Sequence, residues 1–248
     1  MHIHKPKAPH SLREFVAEIG VIAVGILIAL AGEQLVESLH WRHEMEVMRE
    51  SLHSEIESNL TSAAERVMIS PCFQARIAEL GRQLSDARGG WKADPTPDGV
   101  GGRYGALPVA IEAPLYAWYT DGRWRTALAG ASLAHMPETE RAAYAYSYRA
   151  TDMLLRNEEE EVSTAARLQP LAEDQSLSPS DRLAFEKDLA ALDRLNVALT
   201  IDANKFIEGS RNSSLAPDAA VLKDGYKGLV AEYGACVSPW RPSQDARR

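Results

Sequence analysis

The sequence predicts an all-α protein: a single N-terminal transmembrane helix that continues into an extracytoplasmic helical bundle. Three observations carry that prediction. Phe15 to Gly32 reads FVAEIGVIAVGILIALAG, apolar apart from Glu18. A helix-period stripe follows it without a break. Beyond residue 137, two long segments rich in Ala, Glu, Arg and Leu contain few helix breakers.

The first segment sets the organisation. Between Glu18 and Glu33 lie fourteen uncharged residues, short of the roughly 20 a membrane helix needs. Including Phe15 to Ala17, with Glu18 as a tolerated acid, gives about eighteen, enough with local thinning or snorkelling flanks. Three readings compete. One is a retained membrane anchor. A second is a signal peptide cleaved after Ala31, with Ala29-Leu30-Ala31 as the A-x-A site. The third is a buried core helix. Apolar residues nearly all round the helix disfavour the third. Glu18 within the apolar core and helical character running past Ala31 disfavour the second. The anchor is favoured, as residues 12–34, preceded by a short cytoplasmic tail at 1–11.

Flanking charge gives an orientation. Lys5, Lys7 and Arg13 precede the segment against Glu14, whereas seven glutamates from Glu33 to Glu57 follow it against Arg42 and Arg49. Positive charge stays in the cytoplasm, so the N-terminus is placed inside and the remainder outside.

Ala17-Glu18-Ile19, Gly25-Ile26-Leu27-Ile28-Ala29-Leu30, then Glu37, Arg42, Glu44 and the Leu52/Glu55-Ile56/Asn59-Leu60 run resemble a bacterial membrane-protein family of unknown function. In that family an "EI…GILIAL" segment leads into a charged helix. The resemblance covers mainly residues 12–62. The family's Trp-containing stretch after GILIAL is here Glu33-Gln34-Leu35-Val36-Glu37. The resemblance implies a bacterial inner-membrane protein with a periplasmic main domain, and it brings no catalytic residues.

Within the membrane segment, Glu18, Ile22, Gly25, Ala29 and Gly32 fall on one helix face. Three are small, which suits close approach of a second helix, and the carboxylate suits pairing or an ion path. A lone Glu18 snorkelling to the cytoplasmic surface is the simpler account of that residue. Trp41, Met45, Met48, Leu52, Ile56, Leu60, Ala63 and Val67 then step by three or four. That narrow apolar stripe, on a different side from the small residues, fits a bundle or a second copy. His40, His43 and Glu44 have metal-compatible spacing, but a solvated face explains them, so no metal and no cofactor is expected.

Pro71 is expected to end this helix, with a shorter one beginning near Phe73. Residues 88–114, dense in Gly and Pro, read as a long loop within the 35–237 domain, lacking the ending of a phosphate loop. It leads into Tyr116, Trp118, Tyr119, Arg123, Trp124 and Arg125, a candidate aromatic–arginine site for a sugar, peptide or lipid headgroup, or else part of the core. Pro137 suits a first helical position, opening a helix over 138–168 in which Glu158–Glu161 read as a solvated face. Ser178, Pro179 and Asp181 cap the next helix, to about Glu208. A weaker segment spans 217–233, and 238–248 read as a disordered tail. His135 is a weak general-base candidate.

With 248 residues and a net charge of −8, the chain suits one helical domain and argues against nucleic acid as a partner. Its two cysteines, Cys72 and Cys236, fit a disulfide in an oxidising compartment, or two buried thiols. The expected function is non-enzymatic: assembly, scaffolding or an accessory role in a membrane complex, with lipid and either copies of itself or other membrane subunits as partners. The alternative is a periplasmic ligand-binding or sensory module at Trp118–Arg125.

Overall fold

In a computed structural model, residues 12–87, 89–93, 119–210 and 215–241 are described, apart from the Glu14 side chain. They form an essentially all-α fold of five α-helices, with one two-stranded ribbon and short 3-10 turns. Helix α1 runs unbroken from Leu12 to Asp86, a length of about 112 Å at 1.5 Å per residue. Its lower third is long and apolar enough to cross a membrane, and none of that span is buried. Burial begins at Trp41. From there the stripe anticipated by the spacing faces inward, with Met45 at 4% exposure and Leu52, Ile56, Leu60 and Ala63 at 0%.

Pro71 does not end the helix. A proline removes one backbone donor and disturbs the carbonyl four residues back, which costs about 3 kcal/mol. Here Met68, Ile69, Cys72, Phe73, Ile77, Leu80 and Leu84 are all buried on the same helix, so packing on both sides of the proline outweighs that loss. Two neighbouring carbonyls also gain outside donors: the Ser238 N–H reaches Met68 O at 2.9 Å and the Asn196 amide reaches Ser70 O at 3.2 Å.

Four further helices lie along the upper part of α1. Helix α2 (Gly122–Ala129) is short. Helix α3 (Glu138–Ala166) runs parallel to α1, since Arg49 meets Glu140 and Arg66 meets Glu161. Pro137 is its N-cap residue, one position before the helix proper. Helix α4 (Pro179–Ser210) returns antiparallel between them, with Arg182 against the Leu84 carbonyl and Asn196 against Arg66. Its start is a reciprocal cap: Ser178 Oγ accepts the Asp181 N–H at 3.2 Å, and the Asp181 carboxylate accepts the Ser178 N–H at 3.1 Å. Helix α5 (Ala219–Tyr233) climbs α1 again, capped by Asp218.

The far end is closed by β1 (Gly90–Trp91) paired antiparallel with β2 (Gln175–Ser176). Trp91 is 2% exposed and its indole N–H donates to Leu171 O at 2.8 Å. Residue 88 and residues 94–118, most of the expected loop, lie outside the described residues, as do 1–11, 211–214 and 242–248. The described start of the expected 238–248 tail is held on the bundle rather than disordered. Ser238 is bonded to α1 and Trp240 packs against the core, because Cys236 is joined to Cys72 across a Cα–Cα distance of 5.0 Å and brings the following residues onto the helix.

Candidate functional site

The polar residues of α1 that face inward build the most organised part of the molecule. Glu55, Asn59 and Arg66 fall at i, i+4 and i+11, along the flank of the apolar stripe. Each is nine-tenths buried or more.

Glu55 substitutes for a missing helix cap. Asp121 precedes α2 but makes no side-chain capping bond. Instead both Glu55 carboxylate oxygens accept the Arg123 N–H, at 3.2 Å each, in the first turn of α2. A carboxylate there is favoured by the orphan amides and the positive end of the helix dipole. The Tyr148 hydroxyl donates to the same carboxylate at 2.7 Å. Burial, then that hydrogen bond, raises the Tyr148 pKa well above the ordinary phenol range, keeping the proton on oxygen. One turn on, the Asn59 amide donates to Thr120 O at 2.7 Å and its carbonyl accepts the Thr120 N–H at 2.9 Å. α1 therefore grips the backbone on both sides of the α2 start.

This fixes the described members of the aromatic–arginine cluster. Tyr119 is buried in the core, its hydroxyl without a partner among the described residues and its pKa raised, first by burial. Trp124 stacks on Tyr148, with ring centroids 5.0 Å apart and 8° between planes. Arg123 extends to Ser51 at 3.1 Å from its hydroxyl, and Arg125 pairs with Asp121 at 2.7 Å. Tyr116 and Trp118 lie outside the described residues.

Arg66 forms the second centre. Its guanidinium is 1% exposed, pairs with Glu161 at 2.7 Å, donates to Asn196 Oδ1 at 2.8 Å and sits 5.0 Å from the Phe73 ring centroid. The Glu158–Glu161 run is therefore no uniform solvated face. Glu159 and Glu160 are exposed, whereas Glu161 is buried and Glu158 half-buried, because one turn of a helix places residues three apart on the same side. Burial pushes the Glu161 carboxyl upward, with Arg66 opposing it. Burial and the neighbouring Glu161 carry Glu158 to about 8. Arg66 Nε and Glu161 Oε2 have no hydrogen-bond partner among the described residues.

Glu18, Ile22, Gly25, Ala29 and Gly32 are all exposed, and among the described residues nothing beyond the helix's own adjacent backbone lies within 4 Å of a Cβ placed on Gly25 or Gly32. Cys72 and Cys236 form the disulfide. His135 stacks on Trp41, centroids 3.8 Å apart. These two rings border an open groove of about 880 Å³ at the lower end of the bundle. Among the described residues no group of three or more His, Cys, Asp or Glu is placed to hold a metal ion. From sequence, Glu55 and Asn59 enter only as part of the resemblance, with no structural role given to them, and Arg66 is not named. Their signal was there, in polar side chains at helical spacing beside the apolar stripe. Compared with known proteins, the chain matches no family model, no curated protein and no solved structure.

Proposed function

We propose that the protein is a non-enzymatic, single-pass inner-membrane protein whose periplasmic bundle serves in assembly or scaffolding, or as an accessory subunit of a membrane complex. One observation carries the reading: the uncovered apolar span and the central helix of the bundle are the same unbroken helix, Leu12–Asp86. A bundle built on its own anchor is held at a set height and rotation relative to the bilayer. That is a mechanical property a scaffold uses and an enzyme does not require. The charge asymmetry around the span supports an inside N-terminus, and a bridge between Cys72 and Cys236 fits an oxidising compartment. The exposed face at Gly25, Ala29 and Gly32 supports association with a second copy or another membrane subunit. The resemblance of residues 12–62 to the "EI…GILIAL" family points the same way.

Fractionation of cells expressing the full chain tests this, with intact masses taken with and without reductant. The expected result is full-length chain in the membrane fraction, gaining two hydrogens on reduction. A soluble species beginning at Gly32 would refute the anchor. Gly25→Leu is expected to dissociate oligomers in detergent. The rival ligand module at Trp118–Arg125 has less support, since Arg123, Trp124 and Arg125 are all engaged within the molecule. Thermal stabilisation by a ligand that is lost in Trp124→Ala would reverse that preference.

A further inference from the structure

The groove beneath the bundle has a chemistry that neither the core nor the caps use. Its wall on α1 is two columns of side chains. Gln34, Ser38 and Arg42 stack at i, i+4 and i+8, each carrying hydrogen-bond donors. Beside them Glu37 and Trp41 stack at i, i+4, the indole N–H donating to Glu37 Oε1 at 3.3 Å. His135, stacked on Trp41, forms the roof. Below it α1 is uncovered, every described residue from Leu12 to His40 being exposed. Arg42 is exposed, with no hydrogen bond or ion pair among the described residues, whereas the next arginine up, Arg49, is taken by Glu140 at 2.5 Å.

Position adds to chemistry. Gln34 is two residues beyond Gly32, the end of the apolar run, so it stands about 3 Å above it, and Arg42 about 15 Å. The headgroup band of a bilayer leaflet is about 5–7 Å deep. Helical side chains lean toward the N-terminus, here toward the bilayer, so Arg42 reaches down over Ser38. The groove thus presents a free cation with two donors beneath it and two carboxylates, Glu37 below and Glu46 above. Gln34 and Glu37, about 3 and 8 Å beyond Gly32, stand at headgroup height, and Arg42 reaches down toward them from above.

We propose that this groove binds the headgroup of a zwitterionic phospholipid bearing a primary ammonium, a phosphoethanolamine. Arg42, with Ser38 and Gln34, takes the phosphodiester, and Glu37 takes the ammonium. A carboxylate acceptor gains hydrogen bonds from a primary ammonium that a quaternary choline has no N–H to give. An anionic headgroup without the ammonium leaves Glu37 facing a negative charge. The proposal rests on the membrane reading above and adds to it the identity of a bound lipid.

Native mass spectrometry of the full-length protein in mild detergent tests it. The probes are phosphatidylethanolamine, phosphatidylcholine and phosphatidylglycerol of identical acyl chains, and soluble glycerophosphoethanolamine as competitor. Phosphatidylethanolamine is expected to be retained preferentially. Arg42→Gln and Glu37→Gln are each expected to weaken its binding about tenfold or more, the loss of one charge-assisted contact. Lys187→Gln, an exposed change on α4, should leave it unaltered. Arg42→Lys keeps the charge and should retain most of the binding, separating loss of a contact from loss of fold. Equal retention of all three lipids, or indifference to both glutamine variants, means loosely associated lipid and overturns the site. Displacement by the soluble competitor at equal concentration overturns the lipid as the source of the headgroup. A chain found only in the soluble fraction sinks the membrane reading itself, whereas a membrane-bound chain without headgroup preference sinks this proposal alone.

Discussion

Removing Arg66 leaves a buried carboxylate with no counter-charge, and that makes it the most informative perturbation in the bundle. Both members of the Arg66–Glu161 pair are 1% exposed and 2.7 Å apart. Breaking such a pair from one side costs about 3–5 kcal/mol, because the surviving charge stays in a low-dielectric site. Against a total of about 5–15 kcal/mol for a domain, this is roughly a fifth of the stability or more. Arg66→Met and Glu161→Leu are each expected in that range. The double variant is not expected to cost the sum. Arg66 Nε and Glu161 Oε2 are already without partners, so the native pair recovers its desolvation incompletely, and side chains of similar volume remove the charges together. What persists is Asn196 Oδ1, which loses the donor now at 2.8 Å, at about 1 kcal/mol. The double variant should therefore lie within about 1 kcal/mol of the parent, a coupling of several kcal/mol. Urea unfolding of the full-length protein in mild detergent, followed by circular dichroism at pH 7, measures all four corners of the cycle. Additive losses in the double variant would refute the argument, showing the pair to be a net source of stability. Single variants costing under about 1 kcal/mol would show water reaching a site taken here as dry.

Glu158 gives a pH dependence of definite sign. Its folded-state value, near 8, is above the ordinary 4.5, so the folded chain binds the proton more tightly and this group's contribution falls as pH rises from about 4.5 to about 8. Allowing for its partial exposure, the loss is about 1–2 kcal/mol; Glu158→Gln should flatten melting temperature across that window, and an unchanged slope would discount the residue. Reducing the Cys72–Cys236 bridge, which closes a separation of 164 residues, should cost about 2–5 kcal/mol. Thermal melts of Cys72→Ala/Cys236→Ala against the oxidised parent check that, and equal melting would show the cross-link to be dispensable. Asn59→Ala removes both bonds to the Thr120 backbone and should cost about 1.5–3 kcal/mol. Hydrogen exchange should accelerate at Thr120 and Arg123; protection there without change would assign the anchoring of α2 to Glu55 alone.

The all-α class and the segments that became α3, α4 and α5 were legible in the chain because they rest on local rules. The Trp41–Val67 periodicity, the breaker-free run after Pro137 and the Ser178–Asp181 cap each declare themselves within a few residues. What escaped was decided at a distance. Pro71 carries a strong local stop, overridden by burial on both sides and by donors from Ser238 and Asn196, which lie more than 120 residues away in sequence. Glu161 reads as one more acid in a run of four until α1 presents Arg66 to it. Glu55 reads as a helix-surface charge until α2 starts over it with no cap of its own. Trp124 could be named as aromatic from its letters, but its partner Tyr148 could not.

These distant decisions share a location, which bears on the proposed role. The cap at Glu55, the pair at Arg66, the bond at Met68 O, the bond at Ser70 O and the bridge at Cys72 fall within eighteen consecutive residues of α1. Each ties a different part of the chain to that one stretch: α2, α3, the residues after α5, α4 and the C-terminal turn. Apolar helix-on-helix contact fixes register through shape alone, and such packing can lose its uniqueness before it loses its stability. Directional bonds and a covalent link do not tolerate that loss. The bundle's orientation about α1 is therefore fixed at its middle, and α1 carries that orientation down to Trp41 and the uncovered span below. A Leu52→Ala or Leu60→Ala cavity, at about 2–5 kcal/mol, weakens the bundle without releasing it from this register. Loss of Asn59 or Arg66 acts on the register itself. The test is whether the latter variants alter cross-linking between cysteines introduced on the Gly25 face at a dose of urea that leaves helicity intact, while the cavity variants do not.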